Sequence, residues 1–376
     1  MKRVLILTCS TGEGHNSAAR AIEAAFRRKG VACEILDPVS FQGERAKRLV
    51  SGLYNRTIQK APRVFGTVYK LGDLYSKAHL PSPVYHANAH YSEALKHYIL
   101  EQDFDAVICT HLYGMEAMTA IRAKEVFPIP CFGVMTDYVC IPFLDETRLT
   151  GFFVPTAETG AHLIRQGIDP SAIRITGIPV DRAFTHHPER TQARRQLGID
   201  GESRVFLVMT GGVGCENMEQ LSKKLLEAME PRDLMLVLTG KNQELKERLD
   251  DLQDPRCRTV AFTREVPTYM AASDVLLSKP GGLSSTEAAV CNIPMVHIHA
   301  IPGCETYNAR YYAANGLALS AMDDAEAVSC ALYLADHPQE RDKMRACQRS
   351  VIPADAAEQI FKEVEAQCVK QIRSCG

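Results

Sequence analysis

Short apolar runs, each too brief for a buried helix, recur along this chain between stretches of helical spacing. Val4–Leu7, Val31–Leu36, Ala106–Cys109, Cys131–Met135 and Phe152–Pro155 form one series. Val205–Met209, Met235–Leu238, Thr259–Phe262, Val275–Leu277 and Met295–His297 form a second. Continuous apolar runs of this kind read as strands covered on both faces, and the helical stretches between them make the strands parallel. In the first such stretch, His15–Lys29, the residues Ala18, Ala19, Ile22, Ala25 and Phe26 share one helix face. The pattern runs twice within 376 residues. It predicts an α/β chain of two Rossmann-like, doubly wound domains facing a cleft. The expected divisions are 1–180, a connector at 181–203, a second domain at 204–353 and an amphipathic helix at 354–376.

Composition removes several classes of function. A net charge of −2 argues against a globally basic nucleic-acid binder. Thirteen cysteines include no C-x-x-C pair, so zinc and redox-pair readings lack their spacing, and a reducing cytosol is expected. The apolar run after Met1 is far shorter than the core of a signal peptide and is read as a buried first strand. No run approaches the ~20 apolar residues of a membrane span.

One stretch interrupts the alternation. Residues 41–77 hold eight Lys and Arg, among them Arg45, Lys47 and Arg48, against Glu44 and Asp73. Tyr54, Phe65 and Tyr69 are interleaved with them. Such a segment reads either as a helical pair with a solvated basic face or as an amphipathic surface for an anionic membrane.

Four motifs carry chemistry. Thr11-Gly12-Glu13-Gly14-His15 follows the first strand and opens the first helix. Its glycines permit a tight turn, and His15 stands where a helix dipole favours neutral imidazole. It is not G-x-G-x-x-G, so dinucleotide binding is weakly supported. Gly211, Gly212 and Gly214 follow the strand run Val205–Met209. Ser278-Lys279-Pro280-Gly281-Gly282-Leu283-Ser284-Ser285-Thr286-Glu287 joins a strand end to a helix start. Its amides suit a diphosphate, and the Glu287 carboxylate can accept two ribose hydroxyls or simply complement the helix dipole. Glu305 and Asn308, one turn apart after Pro302-Gly303-Cys304, can address a hydroxyl-rich ligand or cap the helix.

These motifs together resemble the family of monogalactosyldiacylglycerol synthases and processive diacylglycerol glucosyltransferases, in glycosyltransferase family 28. More distantly, the chain is similar to the bacterial N-acetylglucosaminyltransferase that makes lipid II. The matching pieces are S-T-G-E-G-H-N-S-A-A at 10–19, V-M-T-D-Y at 134–138, T-G-I-P-V at 176–180, T-G-K-N at 239–242, S-K-P-G-G-L-S-S-T-E-A at 278–288 and P-G-C-E-T-Y-N-A at 302–309. They stand in family order along nearly the whole chain. Three positions depart from the pattern: Ile141 where His is frequent, Cys304 where Gln is common, and Glu13 where a small or uncharged residue is usual. These bear on the acceptor and the sugar rather than on the UDP site.

The resemblance implies a GT-B fold and inverting, metal-independent transfer with no cofactor beyond a UDP-sugar. It carries Gly211, Gly212 and Gly214 to the phosphates, the backbone at Phe262 and Thr263 to uracil, and Gly281, Gly282, Leu283 and Ser284 to the diphosphate. Glu287 would hold the ribose, and Glu305 with Asn308 the sugar hydroxyls. Gly14 and the basic segment with Arg45, Lys47, Arg48, Tyr54, Phe65 and Tyr69 would meet the lipid acceptor and an anionic membrane surface. Asp137 and His15 are the possible bases, with Asp137 preferred and His15 positioning acceptor or phosphates. The expected partners are UDP-glucose or UDP-galactose and a membrane lipid, at the inner face of the cell membrane. Competing readings are another lipid acceptor, an isomerase of the UDP-N-acetylglucosamine 2-epimerase class, and a UDP-sugar-binding regulator without turnover.

Overall fold

The computed structural model describes residues 1–9, 13–43, 81–209 and 218–375, with side chains described as far as residue 370. Gly211, Gly212, Gly214, Arg45, Lys47, Arg48, Tyr54, Phe65 and Tyr69 lie outside the described residues. The chain divides into two compact units, one formed by Met1–Asp181 with Ala354–Gly376 and the other by Arg182–Pro353.

The first unit is built on a parallel sheet of β1 (Arg3–Leu7), β2 (Ala32–Leu36), β3 (Ala106–Cys109), β4 (Cys131–Val134), β5 (Gly151–Val154) and β6 (Ile173–Ile175). The spatial order is β2-β1-β3-β4-β5-β6. Alternate residues feed opposite faces. Leu5, Leu7, Val107 and Cys109 enter one core cluster, and Val4, Ile6, Ala106 and Ile108 enter the other. This double burial is why the strands read as unbroken apolar runs. The helix Glu13–Arg27 buries Ala18, Ala19, Ile22, Ala25 and Phe26, the face its spacing predicts.

The helix Ala356–Cys375 returns to this first unit. Phe361 meets Phe26 edge-on at 5.1 Å, and Arg28 pairs with Glu358 at 2.7 Å. Ile360 and Val364 are fully buried among Ile6, Ile22 and Phe132 in the same core cluster.

The second unit repeats the architecture with β7 (Val205–Met209), β8 (Leu234–Gly240), β9 (Cys257–Ala261), β10 (Val275–Ser278), β11 (Met295–His297) and β12 (Leu319–Ser320), ordered β12-β11-β10-β7-β8-β9. Residues 182–203, within the stretch 181–203 read from sequence as a connector, fold within this unit and include the helix Arg190–Gln196. Arg194 explains why. Its guanidinium is buried and donates to Asp274 at 2.9 Å and to the carbonyls of Ala272, Asp200, Gly201 and Ser203. A charge this well enclosed fixes the chain around it.

Each sheet reverses its strand order once, between β1 and β3 in the first unit and between β7 and β10 in the second. Outside the carboxyl ends of the strands at such a reversal, the flanking connections part and leave room for a ligand.

Candidate functional site

In the first unit, the reversal places the ends of β1 and β3 side by side, with Leu7 paired to Cys109. His15 stands on the helix that follows β1. Its Nδ1 lies 2.9 Å from the carbonyl oxygen of Thr110 and 3.0 Å from Oγ1 of Thr136. Thr110 makes a second contact, its hydroxyl donating to the His15 carbonyl at 3.2 Å. A carbonyl only accepts, so Nδ1 carries the proton and Nε2 carries the lone pair. Burial lowers the His15 pKa below 6.5, while the Thr110 carbonyl opposes the shift. The sequence argument assigned that lowering to the helix dipole; desolvation is its largest cause.

His111 is a residue the motifs did not single out. It caps the helix Leu112–Lys124, and its Nδ1 accepts the Tyr113 amide at 3.2 Å. Its own proton therefore sits on Nε2, the opposite tautomer to His15. The two rings meet edge to face, with centroids 4.7 Å apart. Burial and the neighbouring His15 hold the His111 pKa well below its usual value. Gly114 allows the His111 helix to approach β1, because a Cβ there would lie 2.9 Å from the Leu7 Cβ.

His15, Thr110, His111, Thr136, Asp137 and Ile141 line one small cavity of about 30 Å³, together with apolar Met115, Val134 and Leu144. Both sequence-predicted bases thus border the same space. Ile141 makes one wall apolar where the family pattern often has a ring nitrogen. Gly14 precedes His15 in the first turn of its helix.

In the second unit, Met209 pairs with Ser278 at the reversal. The helix Gly282–Val290 opens there, and its cap residue Gly281 supplies no side-chain bond. The amides of Gly282, Leu283 and Ser284 consequently have no acceptor within the helix. Anions are bound by such groups. Glu287 is half-buried in the same helix.

The Pro302–Asn308 motif is carried to the same loop. Asn308 is fully buried and donates its side-chain amide to the Pro280 carbonyl at 3.0 Å. That bond braces the Ser278–Gly282 turn. Glu305 accepts the Ile301 amide at 2.8 Å; burial raises its pKa and the nearby Lys279 ammonium opposes this. Phe262 and Thr263 follow β9, with Phe262 65% exposed.

A further bond missed by the motifs lies under the helix Gly282–Val290. Ser285 Oγ meets Nε2 of the buried His297 at 3.0 Å. Burial pushes the His297 pKa down to about 3, so the imidazole is neutral and serves to anchor the helix on β11.

Two parallel six-stranded Rossmann-like units, with the C-terminal helix returned to the first, make this a GT-B fold. Solved structures agree on that point. The chain matches MurG of Acinetobacter baumannii with a TM-score of 0.61 at 15% identity, covering 97% of this chain and 100% of that one. It matches MnaA of S. aureus, solved with UDP, with a TM-score of 0.66 at 12% identity and coverage of 97% and 96%. The UDP-GlcNAc 2-epimerase of Neisseria meningitidis, bound to UDP-GlcNAc, gives 0.62 at 14% identity, covering 98% and 100%.

Sequence comparison narrows the class. Residues 15–180 match the family model for monogalactosyldiacylglycerol (MGDG) synthase. The processive diacylglycerol beta-glucosyltransferase of Bacillus pumilus is 23% identical over 375 residues, 97% of this chain and 95% of the relative. Its counterpart from Staphylococcus aureus is 24% identical over 346 residues, 91% and 87% of the two chains. The chain is thus a relative of the MGDG synthases and the processive diacylglycerol glucosyltransferases, as its motifs indicated.

Proposed function

We propose that the chain is an inverting glycosyltransferase that moves a hexose from UDP-glucose or UDP-galactose to the hydroxyl of diacylglycerol or a related membrane lipid. The observation that carries this reading is the His15 tautomer. A neutral imidazole with its Nε2 lone pair available, at the strand reversal of the unit that matches the MGDG synthase model, is what deprotonation of an acceptor hydroxyl requires.

In this mechanism the acceptor oxygen attacks the anomeric carbon from the face opposite UDP. The new C–O bond forms as the bond to the diphosphate breaks, and the hydroxyl proton passes to His15 Nε2. Charge grows on the leaving diphosphate, where the amides of Gly282, Leu283 and Ser284, with Gly211, Gly212 and Gly214, are proposed to receive it without reorganising. Glu287 takes the ribose, Glu305 the sugar hydroxyls, and the backbone at Phe262 and Thr263 the uracil. The tautomer supports His15 as the base ahead of Asp137, reversing the order given by sequence. Asp137 borders the same cavity and is assigned to orienting the acceptor.

Among the described residues no helix is long and apolar enough to cross a membrane. The membrane contact in this reading falls to the basic segment 41–77, working at the inner face of the cell membrane.

The test is incubation of the purified chain with each UDP-sugar and diacylglycerol vesicles, followed by mass spectrometry of the lipid. A mass gain of one or more hexoses is expected. A second reading, epimerisation of a UDP-sugar, is favoured by the fold likeness to the UDP-bound MnaA and the epimerase. It predicts an altered UDP-sugar with or without vesicles and an unchanged lipid.

A further inference from the structure

Two residues meet one imidazole nitrogen, and their donor and acceptor roles are not interchangeable. Thr110 reaches His15 twice, with its carbonyl at Nδ1 (2.9 Å) and its hydroxyl at the His15 carbonyl (3.2 Å). Thr136, arriving from the far side of β3 on the segment after β4, brings Oγ1 to the same Nδ1 at 3.0 Å. Thr110 and Thr136 are almost wholly buried, so bulk water does not compete for these bonds.

We propose that Thr136 is a positioning residue: the Thr110 carbonyl fixes the Nδ1–H tautomer of His15, and the Thr136 hydroxyl, bonded to the same nitrogen, holds the ring in place with Nε2 as the proton acceptor. This deepens the reading of His15 as the base and rests on it. The physical reason is one of counting. The proton on Nδ1 is shared between a carbonyl that can only accept and a hydroxyl that can do either. While the carbonyl stays in place, the hydroxyl is compelled to accept as well, and the ring has no second arrangement of equal energy. Moving the proton to Nε2 would set two lone pairs against each other at Thr110, and flipping the ring would turn a C–H towards both partners. Thr136 adds a second wall against rotation about the ring axis, since it is anchored on a strand end that the His15 helix does not contain. His111, whose Nδ1 is already occupied by the Tyr113 amide, cannot supply an alternative acceptor at that nitrogen for the His15 proton. The sharing also matters after proton transfer. The imidazolium that forms keeps its Nδ1–H bonded, so the charge is not left without an acceptor in a desolvated site.

The test reads the tautomer directly and turnover separately. The full chain is labelled with ¹⁵N-histidine, and the His15 signals are assigned by their loss in His15→Gln. Long-range ¹⁵N–¹H correlations at pH 7.5 then report which nitrogen is protonated. The wild-type chain is expected to show His15 as a single Nδ1–H species. Thr136→Val, which keeps the branched shape and removes the hydroxyl, is expected to keep that species, because the Thr110 carbonyl remains in place. In steady-state transfer to diacylglycerol vesicles, kcat of Thr136→Val should fall roughly tenfold, the factor that one lost hydrogen bond corresponds to. KM for the UDP-sugar should stay unchanged, and Thr136→Ser should recover kcat. A wild-type His15 protonated at Nε2 overturns the proposal without any variant. So does a Thr136→Val chain that retains the wild-type kcat. If the tautomer behaves as stated but His15→Gln retains transfer, the positioning stands and the assignment of His15 as base falls.

Discussion

The carbonyl oxygen of Thr110 lies 2.9 Å from Nδ1 of His15, and this one contact ties the two strand ends at the reversal to a single protonation state. It also sets a pH dependence. The pKa of His15 is lowered by burial, so the ring stays neutral as pH falls through 6.5 and gains its proton only below that value. The acidic limb of kcat/KM should therefore lie below 6.5. His15→Gln should cost a hundredfold or more in kcat, on the order of general-base catalysis, with donor KM preserved. Asp137→Asn should reduce acceptor use with a smaller loss in kcat at saturating lipid. Initial rates across pH 4.5–8 check all three. An acidic limb above 6.5 would contradict the lowered His15 pKa, and a larger kcat loss for Asp137→Asn than for His15→Gln returns the base to Asp137.

Glu287→Ala should raise KM for the UDP-sugar at least tenfold and weaken UDP binding measured by calorimetry, as the loss of a carboxylate that accepts hydroxyl hydrogens requires. UDP itself is the sharper probe, because it keeps the ribose and lacks the sugar. An unchanged Kd for UDP would remove Glu287 from the ribose and leave it as a partner of the helix dipole.

How far the sequence carried these assignments depends on what each residue needed. The apolar runs of β1, β3 and β7 were legible because both faces are buried, and the His15 helix because its buried face repeats at helical spacing. The strands Ile173–Ile175 and Leu319–Ser320 were not, since each is short, lies at a sheet edge and exists only by pairing with its neighbour. His111 escaped because a histidine in Cys109-Thr110-His111 has no motif around it. Its relation to His15 arises from strand pairing across about a hundred residues of chain. Asn308 was legible as polar and helical, but its bond to Pro280 depends on how closely two loops pack.

Transfer should survive exhaustive dialysis against EDTA, because main-chain amides at the Gly282 helix start are proposed to carry the diphosphate charge that a divalent cation carries elsewhere. Loss of activity in EDTA, with recovery on adding Mg²⁺, would show that these amides are insufficient.

Replacing Arg45, Lys47 and Arg48 with Gln should weaken binding to vesicles containing anionic lipid and leave UDP binding intact. At roughly 1 kcal/mol for each basic residue near a charged surface, the triple variant should bind at least tenfold more weakly at low salt. The difference should shrink as ionic strength rises. Vesicle sedimentation at several salt concentrations measures it. Equal binding by both chains would assign those residues to a solvated helix face.

The last prediction concerns stability and starts from a buried carboxyl in the first unit. Glu116 is fully buried in the helix Leu112–Lys124, with the Glu146 carboxyl beside it. Burial, reinforced by the adjacent Glu146, raises its pKa to about 10. The folded chain therefore holds a proton that the unfolded chain releases above the ordinary value of 4.5. Where the native state binds more protons, stability declines with rising pH, so the cost of Glu116 grows from pH 4.5 towards 10. Glutamine has the shape of the protonated acid and no proton to lose. Glu116→Gln should leave stability unchanged near pH 4.5, add on the order of 2 kcal/mol at pH 7 and add more at pH 9. Urea unfolding at the three pH values checks it. A gain that does not grow with pH would mean that the Glu116 carboxyl is ionised in the native chain.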